Sequence, residues 1–176
     1  MDKISAVMQD DLILMVMPLF LLAVLLESAY SAYRRLGWYR QQDFWGSMGV
    51  MAITAVVDLL PKLLAVTAMF ALYEISPLQG TFGREWWCWL LLFLLDDCTY
   101  YWFHRANHEI RLLWAGHVNH HSSQYMNYGT ALRQGVGERV HKYLFWLPLP
   151  LLGFEPAMVI TMISISLFYQ FWIHTR

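Results

Sequence analysis

The sequence predicts an all-α fold, a polytopic transmembrane helix bundle carrying a cytoplasmic, histidine-rich cap. Three observations predict it. Of 176 residues, 58% are hydrophobic and only 14% are charged, where a soluble domain carries about 25% charged residues. The apolar residues fall into four long blocks. The histidines and most basic residues lie between or beside those blocks.

Nine Trp, ten Tyr, ten Phe and ten Met crowd this short chain. A domain of about 150 residues buries only about 70% of its unfolded surface, so water cannot accommodate that much apolar area. A bilayer can. The net charge of −1, with no basic tract, excludes a nucleic-acid partner.

The first block, residues 11–33, closes on Arg34, Arg35 and then Arg40. Asp2, Asp10 and Asp11 against Lys3 precede it, whereas a secretory signal opens on basic residues, so a retained membrane helix is expected. The second block, residues 44–75, exceeds one span of about 20 residues. Pro61 and Lys62, with Asp58 a turn earlier, divide it into a kinked span or a hairpin of two short segments. Residues 76–83 hold one proline and two glycines and form a turn. The third block, residues 86–103, ends near Asp96 and Asp97. Cys88 and Cys98, ten residues apart on this one helix, stand about 15 Å from each other, too far for a disulfide. A polar, histidine-rich stretch follows at 104–142. The last block, 143–173, is interrupted by Gly153 and Pro156, which predicts a helical hairpin returning His174 to the side where it began. Residues 1–85 thus form N-terminal transmembrane helices, and 86–176 form the histidine-bearing region. Because Arg34, Arg35 and Arg40, and again Arg105, Arg111, Arg133, Arg139 and Lys142, share one side, the positive-inside rule turns that side to the cytoplasm.

Five of seven histidines lie within eighteen residues, as H-x-x-x-H (His104, His108) and H-x-x-H-H (His117, His120, His121). Helical residues three and four apart share a face, so each group presents imidazoles together, and two such groups at the end of a membrane helix indicate metal binding. His108 and His117, nine apart, face opposite sides of any continuous helix, so a break is required; Gly116 is the expected place. Arg111, Leu112, Leu113 and Trp114 form an amphipathic piece at the membrane surface. Asp97, seven residues before His104, either accepts a ligand imidazole's second N–H or marks the membrane interface. Imidazole suits zinc, copper, iron or nickel, and five or six histidines exceed a structural zinc's four ligands, which indicates two ions. His174 is either a sixth ligand or a lone interfacial histidine. His141, beside Lys142, is expected to be solvated.

The runs DCTYYWFHRANH at 97–108, LWAGHVNHHSS at 113–123 and NYGTALR at 127–133 resemble the fatty acid hydroxylase/sterol desaturase superfamily, and within it the alkylglycerol monooxygenase-like branch. The resemblance implies a di-metal centre, usually two irons, in which O2 is activated against a lipid C–H bond. Electrons would come from a reductase or b-type cytochrome. It also implies that His104 and His108 form the first box, that His117, His120 and His121 form the second, and that His174 precedes a third. Asp97, Asn127 and Arg133 match positions that support the ligands or the local structure. Members carry a further H-x-x-H-H box, absent from these 176 residues, so a C-terminally truncated chain is expected. The resulting expectation is a membrane-bound, O2-dependent lipid hydroxylase acting on a fatty acyl, sterol or alkylglycerol substrate. The alternatives are a non-catalytic membrane fragment or subunit that binds metal partially, and, more weakly, a zinc-dependent membrane hydrolase, for which no H-E-x-x-H is present.

Overall fold

Helices account for the ordered architecture throughout the described residues, 12–123 and 126–173 of a computed structural model. In chain order they are α1 (Leu12–Tyr33), α2 (Gln41–Val57), α3 (Leu59–Glu74), α4 (Trp86–Glu109), α5 (Arg111–His117), α6 (Tyr128–Ala131), α7 (Arg139–Trp146), α8 (Pro148–Leu151) and α9 (Pro156–Ile173). No strand occurs among them.

The second apolar block is a bent pair, not a hairpin: α2 and α3 meet at 46°. Pro61 has no N–H to give to the carbonyl of Val57, and its ring crowds that carbonyl, so the break falls at Asp58, just upstream. Pro61 itself lies in the first turn of α3, where a missing N–H is tolerated. Asp58, 2% exposed in the angle of the bend, receives Arg139 Nη1 of α7 on Oδ2 at 3.0 Å; its Oδ1 has no hydrogen-bond partner.

Helix α9 joins two apolar clusters. Its first half packs Met158, Val159 and Met162 against Met69 of α3, Cys88, Leu92 and Phe103 of α4, and Trp146 of α7. Near its end Phe171 meets Phe20 and Val24 of α1 and Ala131 of α6. Trp146 Nε1 donates to buried Asp96 Oδ1 at 2.7 Å, so the polar group within α4 is satisfied by its neighbour.

The turn at 76–83 and the corner at 151–156 dock together. Ser76 Oγ donates to the carbonyl of Leu151 at 2.7 Å, and Arg84 bridges to Glu155 at 3.1 Å. Gly153 has φ +99°, and a Cβ there would stand 2.4 Å from the carbonyl oxygen of Leu78, so only glycine fits this corner.

Outward faces remain apolar. Leu25 and Leu26 of α1, Val56 of α2, Leu60 and Leu64 of α3 and Leu94 of α4 are all more than half exposed. Among the described residues no single helix is long and apolar enough to cross a membrane, while the α2–α3 pair passes that test jointly. Pro18–Tyr33 and Pro156–Trp172 are shorter apolar helices.

Candidate metal centre

Four imidazoles converge where α4 ends and α5 doubles back. His104 and His108 occupy the last two turns of α4, one turn apart. Ile110 then adopts an extended conformation (φ −98°, ψ 114°), and α5 starts at the next residue. This single extended residue supplies the required break; Gly116 instead lies inside α5. Helix α5 carries His117 at its end, and the turn after it carries His120 and His121.

One ring nitrogen from each of His104, His108, His117 and His121 lies within 4.8 Å of the other three. His104 Nε2 and His108 Nε2 are 3.2 Å apart, and His117 Nε2 and His121 Nε2 are 3.0 Å apart. Two nitrogens bound at about 2.1 Å to one ion, at about a right angle, stand roughly 3 Å apart. The donor set therefore fits a transition metal. Tyr100 stacks on His104 and Trp114 stacks on His121, so aromatic walls hold the rings.

His120 is placed by its main-chain partner. Its Nδ1 meets the carbonyl oxygen of Arg133, which can only accept, so the proton lies on Nδ1 and the lone pair on Nε2. Its ring centre lies 5.3 Å from that of His117 and 5.0 Å from that of His121. Arg133 is fixed in turn: its guanidinium donates to Asp43 Oδ1 at 2.8 Å, Ser122 Oγ at 2.6 Å and Ser47 Oγ at 3.0 Å. Thus Arg133 ties the start of α2 to the histidine turn. Ser123 also donates to Asp43.

The other sequence-derived candidates fall elsewhere. Asp97 is exposed on α4 and makes no hydrogen bond to an imidazole among the described residues. Asn127 caps α6, accepting from the Thr130 amide at 2.8 Å and donating to the Trp38 carbonyl at 2.9 Å. His174 lies outside the described residues. His141 is half-buried, not solvated: its Nε2 lies 2.8 Å from Asn107 Oδ1.

Sequence reasoning missed Glu138 and Asn107. Glu138 Oε1 lies 3.3 Å from His117 Nδ1 and accepts from Asn107 Nδ2 at 3.0 Å. The contact to His117 runs off the N–H axis, so the buried Nδ1 has no well-formed hydrogen bond. Asn107 showed one usable signal, since a polar residue beside the first histidine pair has to face either water or the site. Glu138 offered none: twenty-one residues beyond His117, it reaches the cluster only through the packing of α7.

Burial, then the neighbouring His117 and His108, push His104 down to about 4. Burial, then His120 and His117, do the same to His121. Burial pushes Glu138 up, but His117 and the Lys142 ammonium outweigh it and hold the carboxyl below its usual range. Neutral imidazoles beside an ionised carboxylate are the protonation states that bind a cation.

His104, His117 and His120 form one wall of a cavity of about 140 Å³, opposite Phe20, Leu132 and Phe171. Gln134, Glu138, Lys142 and Gln170 add polar groups to an otherwise mainly apolar lining.

Residues 89–176 match the fatty acid hydroxylase family. The chain is 36% identical to an alkylglycerol monooxygenase of Danio rerio over 166 residues, covering 90% of this chain and 36% of that protein. Against the Homo sapiens alkylglycerol monooxygenase it is 36% identical over 140 residues, covering 78% and 31%. Against that of Xenopus tropicalis it is 45% identical over 90 residues, covering 51% and 20%. The chain thus spans about a third of the length of the first two relatives. No solved structure matches.

Proposed function

Because this chain belongs to the fatty acid hydroxylase family, we propose that its histidine cluster is the metal centre of a membrane-bound, O2-dependent lipid monooxygenase. One observation carries the reading: imidazoles from α4, α5 and the turn after α5 converge on one wall of a largely apolar cavity. His104, His108, His117, His120 and His121 hold metal, with two irons expected and His174 as a further ligand. Bound iron supplies the redox chemistry that attack on an unactivated C–H bond requires, which zinc cannot. Alkylglycerol, fatty acyl and sterol compounds are the substrate classes, and the names of the similar proteins favour the first.

The chain's own residues divide the remaining work. Tyr100 and Trp114 fix imidazole orientation by stacking. The Arg133 carbonyl fixes the His120 tautomer. Phe20, Phe103, Leu132, Leu167 and Phe171 exclude water and receive an alkyl chain against the imidazoles. Hydroxylation by O2 consumes two electrons and two protons beyond the substrate C–H and releases one water; a b-type cytochrome or reductase is the proposed donor.

Placement in a bilayer is supported by the exposed leucines and valines of α1 to α4. Leaving each such side chain in water forgoes about 1.5–3 kcal/mol, and an apolar surface this extensive belongs against lipid. In that placement residues 104–142 face the cytoplasm.

Metal analysis of the detergent-purified chain tests the assignment. Two irons per chain are expected. One zinc would instead support a hydrolytic or structural site, and no metal would remove the assignment. His120→Ala should lose metal; full occupancy in that variant would strike His120 from the ligand set.

A further inference from the structure

Beside the imidazoles lies a second polar assembly. His141 Nε2, Asn107 and Glu138 follow one another toward His117 at 2.8, 3.0 and 3.3 Å. The directions of the bonds are fixed. The Asn107 amide nitrogen donates to the Glu138 carboxylate, so its Oδ1 must accept, and His141 must carry its proton on Nε2. Asn107 is 0% exposed, Glu138 8% and His117 3%, so these three are shielded from bulk water, while His141 is half-buried.

The backbone is shaped around this carboxylate. A Cβ on Gly135 would lie 2.1 Å from Glu138 Oε2 and 2.7 Å from the carbonyl oxygen of Gly116. A Cβ on Gly116 would lie 3.4 Å from the carbonyl oxygen of Val136. At Gly116 that distance is an ordinary contact, so it is Gly135, crowded by the Gly116 carbonyl as well as by the carboxylate, that lets the 135–138 turn press Glu138 against the end of α5. Arg139, the next residue, locks the turn from outside through Asp58. The group left waiting is His117 Nδ1, buried and without a well-formed hydrogen bond, with Glu138 Oε1 as the acceptor beside it.

We propose that Glu138, held by Asn107 and His141, is a positioning residue that fixes His117 as an Nε2 ligand and strengthens its grip on the ion. The physical reason is the demand that ligation places on the ring. An Nε2 ligand keeps its proton on Nδ1, and donation of charge to the ion makes that N–H a stronger donor. A carboxylate opposite it fixes the tautomer, holds the ring plane and raises the basicity of the ligating nitrogen. Asn107 and His141 keep the carboxylate from turning away.

This proposal rests on the metal-centre reading, and its test separates the two. Co(II) is titrated into the detergent-purified full chain and followed by visible absorbance, alongside thermal unfolding of the metal-free protein. Glu138→Gln should bind the same number of ions about 10–100-fold more weakly. His141→Phe, which leaves Glu138 in place, should weaken binding by a smaller factor, and His141→Gln, which keeps a donor for Asn107, should restore it. A purely structural role would shift the unfolding midpoint and leave affinity alone, overturning the proposal. So would loss of one whole ion equivalent in Glu138→Gln, which would make Glu138 itself a ligand. If Glu138→Gln does not fold, wild-type affinity in His141→Phe overturns the proposal instead. Failure of the unaltered chain to take up Co(II) would sink the metal centre, and this inference with it.

Discussion

His104 and His121 stand at about 4 because burial and neighbouring imidazoles oppose a positive charge on either. An imidazole in the unfolded chain titrates near 6.5. Between those values the unfolded state binds more protons than the native one, so stability rises with pH across that window. It is complete above about 6.5 and is lost as pH falls toward 4. Thermal midpoints of the metal-free protein should therefore drop from pH 7 to pH 4.5, and His104→Gln should shrink that drop. An unchanged midpoint across the window would contradict the crowding of these imidazoles against one another. At the same scale, the sequence displayed the ligand types and their pairing, because imidazoles three and four apart are a local pattern. It did not display the carboxylate. Asp97 satisfied the helical arithmetic, sharing a stripe with His104, yet that stripe of α4 is exposed at Asp97. The carboxylate that does lie beside a cluster imidazole is that of Glu138, just before α7.

Elements were legible where their punctuation is chemical. The start of α9 at Pro156, the Gly153 corner and the α2–α3 bend near Pro61 all follow from missing donors or a left-handed backbone. The break between α4 and α5 was not, since Ile110 has no turn chemistry and extends only because the hairpin packs that way. Two expectations belong here. Arg139→Ala strands a buried Asp58 carboxylate and should cost about 3 kcal/mol or more, read by denaturant unfolding in detergent; adding Asp58→Asn should recover most of it. If the double variant is no more stable than Arg139→Ala, the pair is not what pins α7 to the bend. Gly153→Ala should cost about 1–3 kcal/mol from its positive φ alone, with the Leu78 contact added. An unchanged unfolding midpoint would mean that this corner is not held as described.

For the whole molecule, the proposed bilayer placement turns the histidines to the cytoplasm. In a Cys98→Ser background, chosen because Cys98 is exposed, Leu112→Cys on α5 should react with a membrane-impermeant thiol reagent only from the cytoplasmic face. Labelling from the opposite face would invert the topology and leave the metal site intact. The all-helical architecture was readable from block lengths and apolar content. How the blocks assemble was not, because α9 serves both apolar clusters and no local pattern records which neighbours a helix will have.

The single extended residue at Ile110 has a kinetic consequence. It lets four imidazoles meet within eighteen consecutive residues, and closing so small a loop costs little entropy, with each doubling of length adding only about 0.6 kcal/mol. On the proposed metal-centre reading, cation capture would then precede completion of the helical assembly. On the proposed role of Glu138, its arrival with α7 would convert a loose, early hold into a firm one, and the order in which the chain emerges during synthesis would set the order in which the ion is secured.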